Sequence, residues 1–81
     1  MDIQTLKTAK IIEQSIIHYE NAISHINMML QDNSDIFIDY ENNSVSCKTI
    51  IPTEFKEGIL LNSLEVYKRK LQICRDSLKA L

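Results

Sequence analysis

Lys68, Arg69, Lys70, Arg75 and Lys79 all fall within the stretch "KRKLQICRDSLK", and they are the side chains of this chain best suited to holding a phosphate. An ammonium offers a compact charge, and a guanidinium offers forked donors that match phosphate oxygens. At about 100° per residue on a helix, Lys70 lies between two apolar rows, beside Ser63 and Ser77. A lysine so placed either lays its stem past a packed neighbour or aims its charge into a cleft. Arg69 and Arg75 could add phosphate contacts, and Tyr67 or Tyr40 could offer a ring for a base to stack on. A plainer reading stands beside this one. Cations near a helix C-terminus complement its dipole and remain solvated, and both tyrosines also fit as packing residues.

Other chemistry finds little support. Gly58 is the only glycine, whereas phosphate loops need several residues without a side chain near the ligand. His18 and His25 share a helical face but are two turns apart, roughly 10 Å along the axis, too far to share a metal within one chain. Neither Cys47 nor Cys74 has a histidine at the helical spacing of a zinc site. The acidic turns "DNSD" and "DYEN" lack the spacing, central glycine and terminal glutamate of a calcium loop. The expectation is a protein that is not an enzyme and uses neither metal nor cofactor.

With 81 residues there is room for one small domain, 1–81, and a monomer of this size is marginally stable unless something staples it. Two cysteines are too few for a secreted disulfide framework. Both fall at apolar-patterned positions, which predicts buried thiols in a reducing cytoplasm. The N-terminal "MDIQTLKTAK" lacks the blocks of a signal peptide, and no apolar run approaches the roughly 20 residues of a membrane span. A net charge of -2 argues against a dedicated nucleic-acid binder. These features predict a soluble, cytoplasmic protein.

The elements that must position these residues are legible in the periodicity. Ile12, Ile16, Tyr19, Ile23, Ile26 and Leu30 recur in steps of four and three, which predicts a helix over about 2–31 with Asp2 as its N-cap. Leu60, Leu64, Tyr67, Leu71, Cys74, Leu78 and Leu81 repeat the pattern and predict a second helix over about 53–81, opened by Pro52. Matched seams imply an antiparallel pair. Between them, "DIFIDYENNSVSCKTII" alternates with the period of strands, predicting a β-hairpin over about 36–51. With Asn42 and Asn43 as a two-residue turn at positive φ, Tyr40 would pair Val45, Ile38 would pair Cys47 and Ile36 would pair Thr49. All the apolar members then lie on one face, which must pack on the helices or on strands of another copy. The fold class expected is mainly α with a small β-hairpin.

A second apolar row, Phe55, Ile59, Val66, Ile73 and Ala80, lies roughly 100° to 140° from the second helix's seam. Ile11, Ala22 and Met29 flank the seam of the first helix. One partner helix cannot cover both a seam and a flank. Either the hairpin covers these rows or a further copy does, and the second option also answers the size problem. Phe55, Ile59, Val66, Ile73, Ile11 and Met29 are therefore expected at the interface of a homo-oligomer.

The run "SVSCKTIIPTEFKEGILLNSLEVYKRKLQ" resembles a pattern in small bacteriophage accessory proteins: a long helix, a short hairpin whose second strand passes through an Ile-Pro step, and a helix ending in charged heptads. Several proteins of that kind are counter-defence factors, some oligomeric sponges for host nucleotide signals and others clamps on a host protein. The second apolar row, the embedded Lys70 and the lack of catalytic machinery favour the first kind: a non-enzymatic oligomer holding a cyclic or ADP-ribose-type nucleotide in clefts between protomers. An inhibitor or adaptor that binds a host protein through its apolar stripe or hairpin edge, and a structural coiled-coil protein, are the alternatives.

Overall fold

The structure is a computed structural model and describes residues 2–81. Helix α1 (Ile3–Gln31) leads into strands β1 (Phe37–Glu41) and β2 (Ser46–Ile50), and helix α2 (Thr53–Lys79) closes the chain. The fold is thus mainly helical, with an antiparallel two-stranded hairpin inserted between two long helices.

Each helix begins where its sequence provides a start. Asp2 caps α1, its carboxylate accepting from the Thr5 N–H at 2.7 Å. That satisfies one of the amides left without a partner in a first helical turn. Pro52 stands at the N-cap of α2, one position before the first helical residue, with φ of -55°. The acidic Glu54 lies in the first turn and Lys79 in the last, as the helix dipole favours. α2 ends at Lys79, so Leu81 falls outside the helix predicted to include it and is exposed.

The helices pack antiparallel along the two predicted seams. Ile12, Ile16, Tyr19, Ile23 and Leu30 are half-buried and Ile26 is buried, facing Leu60, Leu64, Tyr67, Leu71, Cys74 and Leu78. Tyr19 and Tyr67 meet at a ring-centroid distance of 5.9 Å. Among the described residues only Ile26, Ile51, Leu60 and Leu71 are buried, and none completely, so the core is a single line of side chains. The molecule is correspondingly flat, measuring 49 × 33 × 15 Å.

The hairpin differs from expectation in register. Phe37 pairs Ile50, Ile38 pairs Thr49, Tyr40 pairs Cys47 and Glu41 pairs Ser46, two residues away from the register in which Tyr40 opposes Val45. The turn explains the shift. The Asn42 side-chain oxygen accepts from the N–H groups of Ser44 at 2.9 Å and Val45 at 2.8 Å, while the Asn42 N–H donates to the Val45 carbonyl. Asn43 and Ser44 thus occupy the centre of the turn, and no described residue adopts positive φ. An asparagine side chain mimicking a backbone turn takes the place of the expected positive-φ asparagine pair. Because the slip is by two, the same side chains still share a face.

The larger correction concerns what that face touches. Every residue of both strands is exposed, and among the described residues no strand Cα lies within 8 Å of a helix Cα. The expected burial of the hairpin's apolar face on the helices of its own chain does not occur. Nor does the hairpin cover the second apolar row of α2. Among the described residues no helix is long and apolar enough to cross a membrane.

Candidate interaction surface

The base of the hairpin is fixed. Ile51 is buried and its N–H donates to the Ile36 carbonyl at 2.9 Å, extending the ladder one step below the strands. Lys56, in the first turn of α2, reaches back to the α1–β1 connection and donates to the carbonyls of Asp32, at 2.7 Å, and Ser34. Asp32 in turn accepts from the Ser34 N–H and hydroxyl, and those hydrogen bonds, the backbone one foremost, hold its carboxyl below the usual carboxylate range. The sequence reading passed over Lys56. Its signal was a lysine at the start of a helix, where a cation opposes the dipole and needs another reason to be there.

Above that base the hairpin stands free. Ile38 and Tyr40 are each 56% exposed, and Val45 is 46% exposed. These side chains and Cys47 form one face. On the other face Phe37, Asp39 and Lys48 line a groove of about 620 Å³ with His25, Met28 and Met29 of α1. Lys48 lies 4.5 Å above the Phe37 ring and opposite Asp39 in the ladder. Cys47 is exposed and Cys74 half-buried, which corrects the expectation that both are buried. Cys47 is open because its strand has no cover, and Cys74 because the seam is one side chain deep.

Both edges of this two-stranded sheet are unpaired. The Asn42–Val45 and Ile36–Ile51 hydrogen bonds set the alternation of the ladder, so the N–H groups of Tyr40, Cys47, Ile38 and Thr49 point inward. Those of Phe37, Asp39 and Glu41 on β1 and of Ser46, Lys48 and Ile50 on β2 then point outward, three on each free edge, with Asp39 and Lys48 central. The arrangement is a short sheet ready to accept a third strand.

The basic residues do not gather into one site within the chain. Arg69 lies 3.7 Å from Glu65 in the same helix, and Arg75 donates to Glu20 of α1 at 3.3 Å. At about 100° per residue, Arg69, Lys70 and Arg75 are each separated from the others by roughly 100° to 140° around α2. Lys70 carries no ion pair among the described residues. Its ammonium sits 6.0 Å from the Tyr19 ring, in a groove of about 280 Å³ with Asn62, Ser63, Val66 and Tyr67. Tyr67 belongs to the helix seam, against Tyr19, and its ring is only partly accessible. Among the described residues no cluster of three or more metal-ligating side chains forms.

The expected interface residues are in the open. Phe55, Ile59, Val66, Ile73 and Ile11 are exposed, and Met29 is half-buried beside the hairpin groove. Comparison with protein-family models, with curated proteins and with solved structures finds no match to the chain.

Proposed function

We propose that this chain is a non-enzymatic binding protein that captures a protein partner through its hairpin. In the setting its layout resembles, it acts as a phage counter-defence adaptor or inhibitor of a host protein. The observation that carries this reading is the uncovered hairpin, with all ten strand residues exposed and both edges unpaired. A lone two-stranded sheet is barely stable in water, and a third strand supplies the hydrogen bonds and apolar cover that it lacks. Lys56 and Ile51 anchor the base and present the strands at a fixed place.

The test exploits the outward amides. Asp39→Pro and Lys48→Pro each delete one outward donor and leave the inward ladder intact, because proline is tolerated on a sheet edge. The tagged protein is expected to retain a defined host polypeptide that one of the two variants releases, which identifies the edge. Retention by both variants would refute strand addition.

A second reading is favoured by Lys70. Its unpaired charge and the polar Asn62 and Ser63 in the same groove suit the phosphate of a cyclic or ADP-ribose-type nucleotide, with groups from another protomer completing the site. Under that reading the protein is a sponge that sequesters a host signal, and Lys70→Glu abolishes capture with the fold unchanged. A native mass spectrum with a nucleotide panel decides between the two.

A further inference from the structure

The exposed apolar residues of the two helices share one side of the molecule. The Arg75–Glu20 bridge spans the helix pair on one side. Nine residues along a helix is half a revolution, at about 100° each. Val66 is nine residues before Arg75, and Ile11 and Met29 are nine residues before and after Glu20. Phe55, Ile59 and Ile73 lie within roughly 20° of Val66. All six therefore belong to the side opposite the bridge.

We infer that this side is the interface of a two-fold homodimer, with α2 packed antiparallel on α2 of a second copy and Val66 on the axis. The inference does not rest on the hairpin reading, although Met29 belongs both to this side and to the groove beside the hairpin.

Area supports a second copy as the occupant. The chain exposes 6573 Å², whereas a compact monomer of its mass is expected to expose roughly 5,000 Å². A face two helices wide, about 20 Å, and as long as α2, about 40 Å, covers about 800 Å². That is the contribution of each partner to a stable interface of standard size.

The register follows from the row itself. A two-fold axis through Val66 places Val66 against its own symmetry mate and Ile59 against Ile73 of the partner, because both lie seven residues away. It also sets Lys70 beside the partner's Ser63, and Arg69 beside the partner's Asn62, so no like charges meet. The neighbouring register, centred between Val66 and Ile73, keeps the row in contact but drives Arg69 against the partner's Arg69 and Lys70 against the partner's Lys70. Repulsion between those cations disfavours it.

Sedimentation and cysteine cross-linking test the inference together. The protein is expected to sediment at twice its 9.4 kDa, and Val66→Glu to return it to a monomer of unchanged helicity. In a background with Cys47→Ser and Cys74→Ser, Val66→Cys is expected to cross-link to itself under diamide. Ile73→Cys alone is expected to cross-link poorly, and a mixture of Ile59→Cys and Ile73→Cys efficiently. A wild-type monomer at micromolar concentration, or a dimer that Val66→Glu leaves intact, would overturn the proposal. Efficient self-linking by Ile73→Cys would overturn the register. Partner capture by the Val66→Glu monomer separates this outcome from the fate of the hairpin reading.

Discussion

Arg75 of α2 donates to Glu20 of α1 at 3.3 Å, and this bridge divides the molecule into two unlike sides. The bridged side carries charge across the seam. The opposite side carries Val66, Ile73 and Ile11 into solvent. The bridge itself contributes little to stability: both side chains are 49% exposed, and pairs of that kind are worth about 0–1 kcal/mol. A double-mutant cycle of Glu20→Gln and Arg75→Gln, followed by urea unfolding, is expected to return a coupling within that range. A much larger coupling would mean the pair is shielded from water.

The single-layer core makes the seam sensitive. Leu60 is 4% exposed, and truncating such a leucine to alanine typically costs about 2–5 kcal/mol. In a domain this small that approaches the whole stability. Leu60→Ala is therefore expected to lose most of its helical circular dichroism at room temperature, whereas Leu61→Ala, on a residue 47% exposed, retains it.

The two thiols should react at different rates. Cys47 lies on the uncovered hairpin and Cys74 in the helix seam. Titration with an aromatic disulfide reagent under native conditions is expected to show one fast and one slow thiol, with Cys47→Ser removing the fast phase. Equal rates would contradict the difference in cover.

Lys56 should hold the hairpin's base without carrying the fold. Its ammonium bonds the Asp32 and Ser34 carbonyls, so Lys56→Met leaves two exposed carbonyls to water. The expected result is faster amide exchange at Ser34 to Ile36 and a small loss of global stability, on the order of 1 kcal/mol. No change at those amides would show that the connection is set by backbone alone.

Acid should loosen two local caps. Hydrogen bonds from Thr5 hold the Asp2 carboxyl below its ordinary value, and those from Ser34 do the same for Asp32. A carboxyl lowered in the folded state contributes stability above its unfolded pKa, and loses that contribution as pH falls through the lowered one. Amide shifts of Thr5 and Ser34 followed from about pH 5 to about pH 2 are expected to move with those protonations. Asp2→Asn, which caps without titrating, removes the Thr5 transition.

Much of the fold was legible because two periodicities compete in the sequence and neither is ambiguous. Steps of four and three through Ile12–Leu30 and Leu60–Leu78 can only be helices, and the alternation from Ile36 to Ile51 can only be strands. The hairpin register was not legible to better than two residues, since either turn leaves Ile38, Tyr40, Cys47 and Thr49 on one face. What chose between them was the Asn42 side chain. The basic residues read as a cluster along the chain but spread around the helix in space, and the acidic partners Glu20 and Glu65 carry no mark in the sequence beyond their charge. Lys56 went unnoticed because its partners are carbonyls some twenty residues away.

Amide hydrogen exchange of the free protein tests the central claim, that the hairpin is an unpartnered docking element, most directly. The amides of Ile38, Tyr40, Cys47 and Thr49 are expected to exchange at nearly unprotected rates, because a two-stranded sheet without cover opens at almost no cost. Those of the helix seam around Ile26 and Leu71 are expected to be slower by orders of magnitude. Hairpin amides as protected as the seam would show that the strands are already covered in the free protein, and would contradict the account.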